Sequence, residues 1–359
     1  MSGQSHKKKY LVVADSAMDL IYSPTERQYL KLCSVVARIE EGFASRESME
    51  GLEDSKAKEL LKNVNTRGVS IYSVPGGPIA NIAQYLRKRG RDVSAISVIG
   101  NNPESRKYLD LLKNMGVDVR GVHTRKGVMP KCLYVYKSPE HQLPPIWRGN
   151  VSERGYVPQG EFFPEFINSH DAMLFSVTNP NVAVRILRDF NKTVAYNPGP
   201  IFDYLPFVDT RFSEIIARTT ILSTNKSEAE QIVRNLHLRK MNDLFNDDNP
   251  NLEIIIKTKG AEGAEIYFRG DGTYEIDPRN KVWNIPPRQI IDDIGAGDAF
   301  FATAVDSIIC GSTAEDILLN ATMASQESLK HRGALNPRFL RGSSGMTSSE
   351  AVRKVGNGA

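Results

Sequence analysis

The sequence is poor in several things at once, and each shortage closes off a class of protein. Three cysteines, Cys33, Cys132 and Cys310, stand far apart among 359 residues and form no C-x-x-C pair. Such spacing offers neither a disulfide framework nor a zinc site, and it predicts reduced, mostly buried thiols in a cytoplasmic protein. The six histidines are scattered without an H-E-x-x-H helix, which argues against a histidine-based hydrolytic metal site. No run reaches the ~18–20 apolar residues that a membrane span needs, so no membrane partner is expected. The opening MSGQSHKKKY is basic but has no apolar core behind it, and no secretory signal is read there. Charge of one sign is scarce as well: 46 Lys+Arg against 42 Asp+Glu leave a net +4. That is no nucleic-acid footprint, since the basic cluster Lys7 to Lys9 sits beside a terminus.

What is present reads as a globular α/β protein. With 40% hydrophobic and 25% charged residues the chain can bury a sizeable core. Length alone permits two or three domains, or one large α/β unit. Short apolar runs, YLVVAD at 10–15, VSAISVIG at 93–100, AMLFSV at 172–177, TVAY at 193–196, TTILS at 219–223 and LEIIIKT at 252–258, read as buried strands. Between them lie helical patterns. From Pro78 to Gly90, Ile79, Ile82, Ala83 and Leu86 share a face between an opening proline and a closing glycine. Ser105 to Gly116 repeats the pattern with Leu109, Leu112 and Met115. Alternation at this spacing implies βαβ units and a mainly parallel central sheet flanked by helices.

Two regions break the rhythm. Residues 21–73 are charged and helix-leaning, with no matching buried strand. Residues 130–157 alternate with period two and then turn rich in Pro, Gly and aromatics, which suggests an antiparallel hairpin outside the main sheet, of the kind that flaps over a cleft. The last residues, 341–359, are small and polar and read as a disordered tail.

The densest chemical signal is IIDDIGAGDAFFATAVDSIICG at 290–311. Gly295, Ala296 and Gly297 open a helix whose inner face would carry Phe300, Ala304, Ile308 and Ile309. A small-residue turn at a helix N-terminus converges backbone N–H groups with the positive end of the dipole, which makes an anion cradle. Asp298 in the first turn can take a hydroxyl proton while the cradle holds charge on a transferred phosphoryl group. A tight turn with an aspartate that only stabilises its helix is the plain alternative. In SVPGGPIANIAQYL (73–86), Gly76 and Gly77 allow close backbone approach and Asn81 can bind hydroxyls. Asp19, after the first strand, is either a loop carboxylate or a bidentate acceptor for two sugar hydroxyls. In STNKSEAEQI (223–232), Asn225 and Glu228 suit water-mediated Mg²⁺ binding, and equally a helix capping box. In IIIKTKGAEGAEIY (254–267), Thr258, Gly260 and Gly263 fit either backbone hugging a nucleotide or a plain hairpin turn. There is no G-x-x-x-x-G-K-[ST], no H-R-D with D-F-G and no G-x-G-x-x-G after the first strand. P-loop NTPases, protein kinases and dinucleotide-binding folds therefore drop out.

The order of these pieces is more specific than any one of them. Asp19, then GGPIAN, NKSE, KTKGAEG, DDIGAGD and HRGA (331–334) resemble the PfkB, or ribokinase-like, family of carbohydrate and nucleoside kinases over roughly residues 10–336. The resemblance implies a ribokinase-like α/β domain over 1–340 with a small β-rich lid drawn from parts of 20–75 and 130–157. It implies transfer of the ATP γ-phosphate to a hydroxyl or hydroxymethyl group. Asp298 takes the place of the general base, and the amides of Gly295, Ala296 and Gly297 that of the anion hole. Asp19, Gly77 and Asn81 fall where relatives contact sugar hydroxyls. Asn225 and Glu228 fall in the Mg²⁺–phosphate network, and Asn225, Thr258, Gly260 and Gly263 at the ATP site. Asp292, Ile294 and Gly333 sit where many relatives bind a monovalent cation, usually K⁺.

One departure stands out, because Asp293 occupies a position where relatives have Thr or Ser. A further carboxylate near phosphates is repulsive unless it points away or meets a cation. Ala80 before Asn81 is similar to sugar kinases, whereas the long 21–73 segment is closer to nucleoside kinases. The expected acceptor is a sugar, with a nucleoside as the alternative. A sugar phosphate would need Arg148 or Arg154, and an idle scaffold of the same fold would be expected to have lost the base or the glycines. A monomer and a homodimer both fit.

Overall fold

The computed structural model describes residues 7–43, 71–127, 131–138, 141–142, 146–148, 164–199, 210–270, 272–276, 285–286, 289–336 and 353–354. Along the chain, β1 (Lys9–Ala14), β2 (Ala17–Tyr22) and α1 (Glu26–Phe43) precede β3 (Ile71–Gly76), α2 (Gly77–Lys88), β4 (Asp92–Ile99), α3 (Pro103–Asn114) and β5 (Asp118–Thr124). Next come β6 (Lys131–Ser138), β7 (His141–Gln142), β8 (Ile146–Arg148), α4 (Pro164–Asn168), β9 (Ala172–Ser176), α5 (Pro180–Leu187) and β10 (Thr193–Asn197). The remainder holds α6 (Thr210–Arg218), β11 (Ile221–Asn225), α7 (Lys226–Asn235), β12 (Ile254–Thr258), β13 (Ala264–Phe268), β14 (Thr273–Ile276), α8 (Ala296–Ile309), α9 (Ala314–Ser328) and β15 (Arg353–Lys354).

The six apolar runs all become strands of one nine-stranded sheet, ordered β14-β13-β12-β11-β10-β9-β1-β4-β5. Strands β12 to β5 in that order are parallel, and the β12–β13–β14 edge is antiparallel. Period-two geometry splits each strand between two cores. Tyr10, Val12 and Ala14 of β1 join the core that α2, α3, α8 and α9 cover, while Leu11 and Val13 join the core under α5, α6 and α7. Helix ends follow the expected chemistry. Asn102 caps α3 by accepting the Ser105 N–H at 3.2 Å, and Gly90 and Gly116 lie just past α2 and α3 with φ of +77° and +75°.

A smaller sheet, β15-β3-β2-β6-β7 with β8 also on β6, stands apart from the large one. The hairpin expected over 130–157 is there in part: β6 is antiparallel to β7 and β8, but it also runs parallel to β2. Residues 149–163 lie outside the described residues. Two of this sheet's strands were hidden in sequence. β2 is broken by Asp19, and β3 carries Pro75 and ends in Gly76, punctuation that reads as a turn. Within 21–73, α1 answers the helical leaning, and 44–70 lie outside the described residues. Of the tail over 341–359, Arg353 and Lys354 pair with Ser73 and Tyr72, and the rest is likewise outside.

Two expectations need correction. Of the cysteines only Cys132 is buried; Cys33 is half-buried and Cys310 exposed, all three as free thiols. α8 is not amphipathic: every residue from Ala299 to Ser307 is buried, whereas Ile308 and Ile309 are only partly so. The helix lies between α2, α9 and the sheet, so it has no wet side between its first and last turns.

Burying α8 all round also buries Asp306. Its carboxylate accepts from Tyr10 Oη at 2.6 Å, from Arg91 Nε at 2.7 Å and from Arg89 Nε. These donors hold its pKa below the usual carboxylate value although burial opposes them. Removing the carboxylate strands two guanidinium groups and a buried phenol. Asp306→Ala is expected to cost about 3 kcal/mol in a denaturant titration, with little change in kcat per folded molecule.

Candidate active site

The site is built where the two sheets meet. β2 pairs antiparallel with β3, which sets Ala17 opposite Gly76 and Asp19 opposite Val74. α2 begins directly after Gly76, and its Ile79 N–H donates to Asp15 O at 3.4 Å, tying the helix start to the end of β1. Gly77 sits at φ +76°, and a Cβ there would lie 2.7 Å from the Ala17 nitrogen, so this turn excludes a side chain. Gly76 has a different duty. A Cβ on it would fall inside the Asp19 carboxylate, so the glycine makes the seat for that side chain. The sequence reading took both glycines as surfaces for a ligand. The structure places Asp19 and the Asp15–Ala17 backbone against them, and Tyr108 Oη fixes Gly76 by donating to its carbonyl at 2.8 Å.

Asp19 is 1% exposed and Asn81 3%, yet both Asp19 oxygens and Asn81 Oδ1 lack a hydrogen-bond partner. Three buried acceptors without donors are costly unless a ligand supplies the donors. Burial, with the charges of Asp298 and Asp292 adding to it, pushes the Asp19 carboxyl well above its usual range. Asn81 spends its Nδ2 on Asp298, donating to Oδ2 at 2.8 Å. Asp298 is half-buried, and burial pushes its pKa up to about 6 against the pull of that hydrogen bond.

Gly295 caps α8 in the left-handed region at φ +77° with no side-chain cap. The first helical bond runs from Ala299 N–H to Gly295 O, so the N–H groups of Gly297 and Asp298 precede any helical acceptor. A Cβ on Gly297 would meet nothing within 4 Å, so open space lies above the helix end. Ala296 differs from expectation, because its N–H donates to Asp293 O at 3.2 Å and closes the turn. An anion at this helix end would meet the amides of Gly297 and Asp298 sooner than that of Ala296. Asp293 itself stands exposed at the surface.

Behind the turn, Asp292 is 1% exposed and accepts the Ile294 N–H at 3.1 Å and the Gly333 N–H at 2.9 Å. The three residues that the sequence grouped as a cation site are thus brought together. Burial raises Asp292 to about 6 despite the two amides. Ile294 and Ala334 pack with Ile21 and Val74 in a small core that joins the turn to the smaller sheet.

A second group lies at the C-terminal ends of β11 and β12. Asn225 and Thr258, the last residues of those strands, are register partners. Gly260 at φ +59° and Gly263 at φ +88° shape the turn that follows, closed by Lys259 N–H to Gly263 O at 2.7 Å. Asn225 and Glu228 form a full capping box: Glu228 N–H donates to Asn225 Oδ1 at 2.8 Å, and Asn225 N–H to Glu228 Oε2 at 2.9 Å. α8 packs against β11, and Asn225 and Thr258 stand at the carboxyl ends of their strands, where open α/β folds bind ligands. Arg148 stands in β8, and Arg154 lies outside the described residues.

Sequence reasoning missed Gln84 and Ala334. Gln84 is buried on α2 one turn beyond Asn81, with Nε2 donating to Ala334 O at 2.6 Å. A glutamine among apolar neighbours gives no motif, so only the fold could expose it.

Comparison with known proteins bears on this geometry. The nucleoside kinase of Methanothermobacter thermautotrophicus is 23% identical over 254 residues, 70% of this chain and 76% of that protein. The cytidine kinase of Thermococcus kodakarensis is 24% identical over 266 residues, 73% of this chain and 90% of that one. The solved nucleoside kinase of Methanocaldococcus jannaschii, described as an archaeal member of the ribokinase family, matches with a TM-score of 0.68 at 18% identity. It covers 94% of this chain and 98% of that one, and the fold is ribokinase-like. The family model for pfkB family carbohydrate kinases matches residues 53–339, most of the chain, and the protein belongs to that family.

Proposed function

We propose that this protein transfers the γ-phosphate of ATP to a hydroxyl on the sugar ring of a nucleoside. The observation that carries the kinase reading is the pairing of a half-buried carboxylate, Asp298, with an uncapped helix N-terminus beside three partnerless acceptor oxygens on Asp19 and Asn81. Those acceptors call for a ligand rich in adjacent hydroxyls, and the helix end calls for an anion. With both ligands bound, Asp298 removes the proton from the attacking hydroxyl as the new O–P bond forms and ADP leaves with the bridging oxygen. Amides at the start of α8 stabilise the charge on the transferred group, and burial keeps water from competing for it.

The preference for a nucleoside over a free sugar rests on the relatives named above. Ala80, the residue whose likeness to sugar kinases points the other way, is buried in the core beneath α2. Thr258, Gly260 and Gly263 would line the nucleotide, with the smaller sheet as a lid. Glu228 and Asn225 fit Mg²⁺ held through its waters, because their side-chain oxygens are the hard donors this ion takes and they stand beside the C-terminal ends of β11 and β12. Bound there, Mg²⁺ would neutralise phosphate charge. Asp292 braces a backbone amide with each oxygen, and no step is assigned to a monovalent cation at that turn.

The test is ADP release from Mg·ATP with ribonucleosides, 2′- and 3′-deoxynucleosides and free sugars. Ribonucleosides are expected to turn over, and each missing hydroxyl should lower kcat/KM by ~10- to 10²-fold, as an unpaired buried charged acceptor costs about 1.5–3 kcal/mol. Turnover of free sugars alone would move the substrate assignment to that class. No turnover of any acceptor would sink the kinase reading.

A further inference from the structure

The described groups meet through one side chain that the chemistry above does not use. Gln84 lies on α2 three residues beyond Asn81 and is buried. Both ends of its amide are engaged by one short piece of chain: Nε2 donates to Ala334 O at 2.6 Å, and Oε1 accepts the Asn336 N–H at 2.9 Å. A glutamine that donates and accepts across two residues fixes a segment in register as a strand neighbour would. The residue just before that segment, Gly333, gives its N–H to Asp292. Ala334 abuts Gly295 so closely that a Cβ on the glycine would overlap the alanine methyl, and it would also come within 3.3 Å of Asn81 Nδ2. The contacts close a circuit. α2 holds 334–336 through Gln84, that segment holds the Gly295 turn through Ala334 and Asp292, and the helix opened by the turn returns Asp298 to Asn81 on α2.

We propose that Gln84 is a positioning residue which locks residues 334–336 to α2 and so keeps the Gly295 turn and Asp298 in register with Asn81. Without the lock, α8 still packs along α2 and Arg89 still binds Asp306, but residues 334–336 lose both of these hydrogen bonds to α2 and the Gly295 turn loses the support behind Ala334. The substrate acceptors on Asp19 and Asn81 would stay in place while the phosphate cradle drifts. The inference rests on the phosphotransfer reading for its kinetic consequence but not for its structural one.

The test is Gln84→Met, which keeps the bulk of the side chain and removes both hydrogen bonds, assayed in the full chain. Expected are a kcat lowered ~10-fold or more, as small misplacements of reacting groups cost, and an acceptor KM changed by less than ~3-fold. The acid limb of the kcat profile should also move below its wild-type position as water gains access to Asp298. Hydrogen exchange at 333–336 and 294–297 should quicken ~10-fold while the central strands stay unchanged. If Gln84→Met does not fold, Gln84→Glu, which keeps the acceptor for Asn336 but loses the donor to Ala334, should show the same split. Wild-type kcat and exchange in a folded variant would overturn the proposal. So would a kcat that falls only in step with the fraction of folded protein, with the pH profile unmoved. Should the wild type turn over no acceptor at all, the functional reading fails on its own, and exchange at 294–297 still decides whether Gln84 holds the turn.

Discussion

Asp298→Asn is expected to lower kcat by ~10²- to 10⁴-fold, the range for removing a general base, while both substrates still bind. The asparagine has the same shape, and its oxygen can still accept the Asn81 Nδ2 hydrogen bond, so the acceptor site should not be disturbed. A fall in kcat with KM values within a few-fold would place the loss in the transition state. A variant within ~3-fold of wild type would show that Asp298 serves only its helix, and the mechanism would have to be given up.

The pH dependence follows from the same group. With its pKa raised to about 6 by burial, Asp298 is ionised in roughly nine of ten molecules at pH 7. Wild-type kcat should therefore fall as pH drops through about 6, and the residual rate of Asp298→Asn should lack that limb. The sign for stability is opposite to that of a salt-bridged carboxylate. A folded pKa above the unfolded one favours the folded state at low pH, fully below 3.8, and that contribution is lost as pH rises through about 6. At neutral pH the unliganded protein carries a buried charge that Asp298→Asn removes, so the inactive variant should be the more stable one. Asp19 and Asp292 are shifted in the same direction and for the same first cause. Three carboxylates whose pKa values burial raises are a stability cost, as expected of a site shaped for ligands.

What could be read from sequence, and what could not, divides along physical lines. Six of the parallel strands announced themselves because a strand buried on both faces is a continuous apolar run, as at Leu11 to Val13 and Ile254 to Ile256, whereas β5, only partly buried, did not. The helix start at Gly295–Asp298 was legible because glycine at a positive φ and an acid in the first turn are local requirements. β2 and β3 were not, since their pairing is decided by contacts between Asp19 and Gly76 that lie more than fifty residues apart in sequence. Asn225 and Glu228 show the limit in another way. One spacing serves a capping box and a metal network, and the structure shows the box formed without deciding against the other use. Gln84 could not be found at all, because its two partners are some 250 residues away.

Gly76→Ala should be nearly as damaging as loss of the base, although the residue touches no reacting atom. Gly76 has φ −153°, outside the left-handed region, and what a side chain there meets first is an occupied space. The obstacle is the Asp19 carboxylate, which occupies the space a methyl would need. Tyr108 holds the Gly76 carbonyl from behind, so the backbone cannot retreat and Asp19 must leave its seat. Losing two hydrogen bonds from a charged acceptor amounts to about 3–6 kcal/mol, or ~10²- to 10⁴-fold in kcat/KM for the acceptor. Nucleotide binding at the far group should be unchanged. The route of the effect can be separated from its size by a double-mutant cycle. If the methyl acts by evicting Asp19, adding Gly76→Ala to Asp19→Ala should do almost nothing, because the carboxylate that clashes is already gone. If the two losses instead add, Gly76 faces the acceptor directly, and the role assigned to Asp19's seat is wrong.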